Sequence, residues 1–349
     1  MSLPATKTLN PCLGPAGIDR NRVLDMHCHV AGIGAGGSGA FISERLRRSW
    51  KYQVYLRAFG VSEKALRQDG DGLVVARIAQ RLAASSQVGE AVVLALDGVV
   101  GADGELDPRR TETYIPNDFL AREAARHPNL HFGASVNPKR RDALARLERV
   151  KADGALLVKW LPAIQLIDPA DVALTSFYRK LVELDLPLLT HAGHERSFTA
   201  AANHLGDPCR LHLPLRLGVR VIVAHAATSG RNQGQDNLRR LLPLFAAHPN
   251  LYADISSLTQ ANKLRFLPRV LKAGIDPARL LYGTDFPLIG TGLTSPLFSA
   301  LRLPPRQTLA LLGVANPWDQ DVRLKLAHGV PPEIFTNARQ LLLPCARTL

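Results

Sequence analysis

Long apolar runs are missing from this chain of 349 residues. None approaches the ~20 residues that cross a bilayer as a helix, which excludes a helical membrane protein. Cysteine is scarce: Cys12, Cys28, Cys209 and Cys345 stand far apart without CxxC spacing. Neither a zinc knuckle nor a disulfide framework is expected, and a reducing cytoplasm is the default location. Residues 1–22 lack a basic stretch followed by an apolar core, so no secretory signal is expected; they read as an N-terminal extension. Acidic residues are the minority sign, 30 against 43 basic, for a net charge of +13. Such an excess raises the question of nucleic acid. Yet the arginines are dispersed, as in Arg45, Arg47 and Arg48 or Arg140, Arg141, Arg146 and Arg149, with no interleaved aromatic stripe. Solvated helix faces account for that pattern. The expected partner is a small molecule, with a leaning toward an anionic one; a membrane is not expected, nucleic acid is disfavoured, and a homo-oligomer is left open.

What is present is a rhythm. Short apolar runs at Val23–His29, Ala91–Asp97, His131–Val136, Ala155–Trp160, Pro187–His191, Arg220–His225, Leu251–Ile255 and Leu280–Asp285 read as eight strands. Between them, helical spacing of apolar residues marks Asn117–His127, Lys139–Ala152, Ala170–Leu184, Asn237–His248 and Asn262–Ala273. Strand-then-helix alternation implies a parallel sheet, and eight such units suit a closed (β/α)8 TIM barrel. A doubly wound open sheet is the structural alternative. The barrel is expected as one domain over residues 23–349, interrupted by long loops at 30–90 and 286–332. Loops at the C-terminal face of a barrel commonly build lids and pockets.

The strand ends carry the chemistry. Strand one ends in Asp25-Met26-His27-Cys28-His29, strand four in Lys159-Trp160, strand five in His191, strand six in His225 and strand eight in Asp285. A barrel brings these ends to one mouth. Side chains alternate along a strand, so His27 and His29 share a face while Cys28 points toward the helices. An HxH pair alone is weak, because a lone buried histidine is usually a hydrogen-bonded core residue. Four histidines and an aspartate at strand ends together suit a divalent ion bound through nitrogen and oxygen: Zn²⁺, with other divalent metals as alternatives.

This set, with Tyr282-Gly283-Thr284-Asp285-Phe286-Pro287 and the closing Asn337-Ala338-Arg339-Gln340-Leu341, resembles the amidohydrolase superfamily, above all its amidohydrolase-related (amidohydrolase 2) branch. The resemblance implies metal-ligand or catalytic roles for His27, His29, His191, His225 and Asp285. It also implies that Lys159 is carboxylated and bridges two ions, as in superfamily members with lysine at this place. A lysine beside a divalent cation should lose its proton, since burial and the ion both oppose its charge. A one-residue change of register would instead turn Lys159 outward and Trp160 inward.

The mechanism follows from those roles. A bound ion brings the pKa of water from 15.7 toward about 7. Asp285, with His225 nearby, then serves as proton acceptor in hydrolysis of an amide, ester or lactone. Non-oxidative decarboxylation of an aromatic or unsaturated carboxylic acid is the alternative, and a TatD-like nuclease stands behind both. For substrate binding, His194, Glu195 and Arg196 follow strand five in a loop that reads equally as plain polar surface. Trp160 reads either as a pocket wall or as packing under a helix. Arg231 and Asn232 are weaker candidates. Asp97, in an Asp-Gly pair, is explained by turn chemistry.

Overall fold

The structure, a computed structural model, describes residues 17–344. Most of the expected N-terminal extension, together with Cys12 and Cys345, lies outside the described residues. Eight short strands run in parallel: β1 (Leu24–His29), β2 (Glu90–Leu94), β3 (Leu130–Gly133), β4 (Val158–Trp160), β5 (Leu188–His191), β6 (Val221–Ala224), β7 (Leu251–Asp254) and β8 (Leu280–Leu281). Continuous ladders join β1–β2–β3 and β4–β5–β6–β7–β8 into two arcs. The arcs meet at both seams through single parallel bridges, Ala134 with Val158 and Cys28 with Phe286. Lys159 N donates to Ala134 O at 2.7 Å across the first seam, and His29 N to Phe286 O at 2.8 Å across the second. No strand of the ring is left with an open edge, the solution a barrel offers to unpaired backbone.

Both faces of the ring are apolar because both are buried. Leu24, Met26, Val92, Leu94, Leu157, Leu189, Ile222 and Leu281 fill the lumen, closed below by Ala338 and Leu342 of the helix Ile334–Leu342. Cys28, Ala91, Val93 and Val223 belong to the larger outer core with the helices.

One irregularity decides what the mouth contains. β1 pairs Asp25 with Ala91 but Cys28 with Val93, three residues of advance against two. This bulge shifts the inward parity of β1. Leu24 and Met26 point into the lumen below it, and His27 and His29 point inward above it. A regular strand continuing from Leu24 and Met26 would have turned both histidines outward.

The expected helices are present but shorter: Asn117–Ala124, Ala143–Ala152, Thr175–Glu183, Asn237–Ala247 and Phe266–Leu271. The last loses its first turn because Thr259–Lys263 folds back, letting Lys263 Nζ donate to Ser257 Oγ at 2.7 Å. The stretch 30–90 is largely helical, with Trp50–Phe59, Glu63–Asp69 and Gly72–Ala83. The second excursion holds the helices Pro305–Leu312 and Pro317–Ala327. Serine caps at Ser49 and Ser62 begin two of these helices by accepting backbone N–H groups, a signal readable in the sequence.

Candidate metal centre

At the mouth of the ring His27, His29, Lys159, His191, His225 and Asp285 come together. The His27 and His225 rings stack with centroids 5.2 Å apart, and the His191 ring lies edge-on to His225 at 5.5 Å. Asp285 faces three imidazoles: Oδ1 lies 3.2 Å from His29 Nε2 and 3.6 Å from His27 Nε2, and Oδ2 lies 3.6 Å from His225 Nε2. Lys159 Nζ sits 3.0 Å from His27 Nε2, fully buried, so the lysine points inward.

The backbone is bent to make this arrangement. Asp285 and His225 both adopt left-handed conformations, at φ 63° and 54°. Non-glycine residues rarely do so, and such strain concentrates at functional sites. The segment that follows β8 passes close against β1 here: a Cβ at Gly283 would stand 2.9 Å from the Cβ of His27. Only glycine gives that clearance.

Asp254, at the end of β7, organises the histidines from behind and was not among the expected site residues. Its Oδ2 accepts from His27 Nδ1 at 2.8 Å and its Oδ1 from His225 N at 2.8 Å. The hydroxyl of Ser256 also donates to Asp254. His225 Nδ1 lies 2.7 Å from Ser256 Oγ and 3.1 Å from Ser256 O. Each Nδ1 is thereby engaged, which turns each Nε2 toward the centre, where His27 Nε2 meets Lys159 Nζ as well as Asp285. The rule applied to the other strand ends would have found Asp254, the last residue of β7.

Electrostatics favour the ligand form of these groups. Burial, reinforced by the Lys159 charge, pushes His27 down to about 4. Burial, with Lys263 adding to it, holds His225 well below its ordinary value. Both rings are therefore neutral at pH 7. Burial alone would raise the Asp285 carboxyl, but His225, His29 and His27 outweigh it and hold it well below the carboxylate range. Burial pushes the Lys159 ammonium down to about 8 against the pull of Asp254 and Asp285.

The donor set fits a divalent ion. One donor atom each from His27, His225 and Asp285 lie within 4.8 Å of one another. His191 Nε2 is buried without a hydrogen-bond partner, a costly state for an imidazole nitrogen that nothing engages.

The remaining candidates divide. Glu195 is buried with Oε2 3.6 Å from His191 Nδ1, while its Oε1 accepts from Arg196 N and Ser197 N at 2.8 and 2.6 Å. Arg196 is exposed, and His194 is turned to the Arg231–Asp236 hairpin, where Nε2 lies 2.9 Å from Arg231 O. Trp160 does not line a pocket. It is wholly buried outside the ring, packed on Phe177 and Tyr178, and its indole donates to Val136 O at 2.8 Å. Alternation on β4 is the reason: Lys159 inward places Trp160 outward. Asp97 is more than a turn residue, since it forms a buried two-point ion pair with Arg140 at 2.5 and 3.2 Å. Two residues near the mouth went unread in the sequence, Tyr55 from the helix Trp50–Phe59 and Lys263 beyond β7; neither lies at a strand end.

This chain is similar to several solved structures. An uncharacterised TIM-barrel protein from Bordetella bronchiseptica aligns at TM-score 0.52 and 15% identity, covering 90% of this chain and 99% of that one. A 5-carboxyvanillate decarboxylase from Sphingomonas paucimobilis aligns at TM-score 0.46 and 13% identity, covering 92% and 98%. An IDCase from Metarhizium anisopliae aligns at 0.46 and 14%, covering 92% and 96%. No curated protein matches the sequence. The family described as Amidohydrolase matches residues 24–333, nearly the whole chain. A parallel eight-stranded ring with this sequence signature is a TIM barrel, and the chain belongs to the amidohydrolase family.

Proposed function

We propose that this protein is a metal-dependent hydrolase that cleaves an amide, ester or lactone bond of a small molecule in a reducing cytoplasm. The observation that carries the reading is the position of Asp285, an ionised carboxylate facing His27, His29 and His225 at 3.2 to 3.6 Å. His27, His225 and Asp285 would hold one Zn²⁺ or a similar divalent ion, with His29 and His191 completing the shell. Such an ion, when bound, acidifies water and polarises a carbonyl. Asp285 accepts the proton of the attacking water on a carboxylate oxygen and returns it to the departing nitrogen or oxygen. Asp254 keeps His27 in the tautomer whose Nε2 faces the centre. His225, held well below its ordinary value by burial, is available in its neutral, ligating form.

Lys159 sets the number of ions. Its depressed amine is the form that combines with CO2, and a carbamate there would admit a second ion. The test is zinc-loaded protein assayed against lactones, esters and amides, beside aromatic carboxylates monitored for CO2. Hydrolysis that is lost in Asp285→Asn supports the proposal. CO2 release without hydrolysis replaces it with decarboxylation. Metal analysis of the same sample finds two zinc ions per chain if Lys159 is carboxylated, and one if it is not.

A further inference from the structure

We propose that Lys263, with the hydroxyl of Ser257, forms a subsite for a carboxylate group of the substrate, which narrows the substrate class to small carboxylated molecules. This rests on the hydrolase reading of the same mouth. Lys263 reaches back from the turn after β7, and its Nζ donates to Ser257 Oγ at 2.7 Å. Ser257 Oγ in turn lies 3.2 Å from His225 Nδ1, so the ammonium stands one hydroxyl away from a histidine of the centre. Ser257 is itself held in a left-handed backbone at φ 53°, with its N–H directed to Thr284 O at 3.4 Å. The hydroxyl is therefore aimed by the fold.

The charge at this place has no fixed counterpart. Among the described residues, lysine ion pairs within 4.0 Å join Lys180 to Glu148 and Glu183, and Lys325 to Asp321; Lys263 joins no such pair. Lys159, inside the mouth, lies against His27 Nε2 at 3.0 Å, and Lys51 is engaged by the carbonyls of Arg196 and Ser197 at 2.8 and 3.3 Å. Lys263 is half-buried, and its charge is felt by both His191 and His225. The carboxylates whose fields reach it, Asp285, Glu195 and Asp254, are committed to the histidine cluster. A half-buried ammonium without an ion partner, beside a centre that handles carbonyl chemistry, is suited to bind an anionic group of the substrate. Its three donors reach carboxylate oxygens, and the Ser257 hydroxyl adds a further polar contact. The net charge of +13 agrees with an anionic ligand but does not locate it.

Calorimetry on wild type, Lys263→Met and Lys263→Arg tests the proposal. Zinc is titrated first into each metal-free protein. Benzoate and its neutral counterpart benzamide are then titrated into the zinc-loaded forms. The expected result is that zinc binds all three alike, while benzoate binds Lys263→Met at least about tenfold more weakly than wild type. Benzamide should bind the three proteins equally, and Lys263→Arg should retain benzoate. Equal benzoate affinity in wild type and Lys263→Met, or no preference of wild type for benzoate over benzamide, overturns the subsite. A wild type that takes up no zinc overturns the metal reading instead, and the first titration shows this separately.

Discussion

Two polar clusters lie back to back through the same strands, and they are built differently. The inner one, at the mouth, combines Lys159, the four histidines and Asp285. It contains a buried nitrogen without a partner, a lysine against an imidazole, and left-handed backbone at His225 and Asp285. The outer one hangs on the helix Pro317–Ala327. Asp25 there accepts from His27 N, Thr284 N, Thr284 Oγ1 and Trp318 Nε1, at 2.6 to 3.1 Å. Asp321 accepts from Thr259 Oγ1, Tyr282 OH and Lys325 Nζ, and Lys325 also donates to Gly283 O at 3.0 Å. A network whose groups are all paired is a brace, and one with groups left over is a site. The brace holds residues adjacent to those that make the site: Asp25 precedes the HxH pair by two residues, and Gly283 and Thr284 lead into Asp285.

The contrast yields predictions that separate the two clusters. The largest effect belongs to the inner one. Asp285→Asn should lower kcat by about 10²–10⁴-fold, the usual weight of a proton acceptor. Its urea unfolding midpoint should fall somewhat as well, because the fold holds this carboxyl below its ordinary range and so favours the ionised form that asparagine lacks.

Next comes the brace. Lys325→Met strands Asp321 as a buried charge, and breaking such a pair costs about 3–5 kcal/mol in urea unfolding. Lys159→Met, equally buried, should cost less than about 1 kcal/mol or stabilise the metal-free protein, since burial already opposes its charge. The reverse order of these two lysines would break the comparison.

A smaller effect separates the clusters by ligand. Zinc at about 100 times its Kd should stabilise wild type by about 2.7 kcal/mol. Lys325→Met should keep this increment, and His225→Ala should lose it, as read from thermal unfolding with and without zinc.

The smallest effect is in the pH dependence, where the clusters differ in sign. His27 titrates at about 4 when folded against 6.5 when unfolded, so its contribution to stability is lost as pH falls from 6.5 toward 4. Asp25 runs the other way. Burial raises it from 3.8 to about 6, so its contribution is complete below about 4 and is lost as pH rises through 6. Urea midpoints between pH 4 and 7 should therefore gain slope in Asp25→Asn and lose it in His27→Gln.

Much of this was legible in the residues. The eight apolar runs mark the eight strands, and the polar residues at their C-terminal ends mark the mouth. Where the reading fell short, the cause lies in contacts between distant segments. Trp160 and Lys159 are neighbours on one strand, and only the pairing of β4 with β3 and β5 decides which of them faces the lumen. Asp25 reads as part of an Asp-x-His motif, but its partner Trp318 comes from a helix nearly three hundred residues away. The stretches 30–90 and 286–332 looked like loops because their apolar residues are split among short helices, each too brief to show a long periodic stripe.

By itself the sequence determined the parallel strand-helix alternation and the inventory of groups at the strand ends. Both follow from local periodicity and from the donor atoms each side chain carries. The tertiary structure alone decided three things: the bulge that turns His27 and His29 inward, the placement of Asp254 behind them, and the return of Lys263 to the mouth. Each depends on register and packing between strands remote in the chain, and local propensity does not encode those relations.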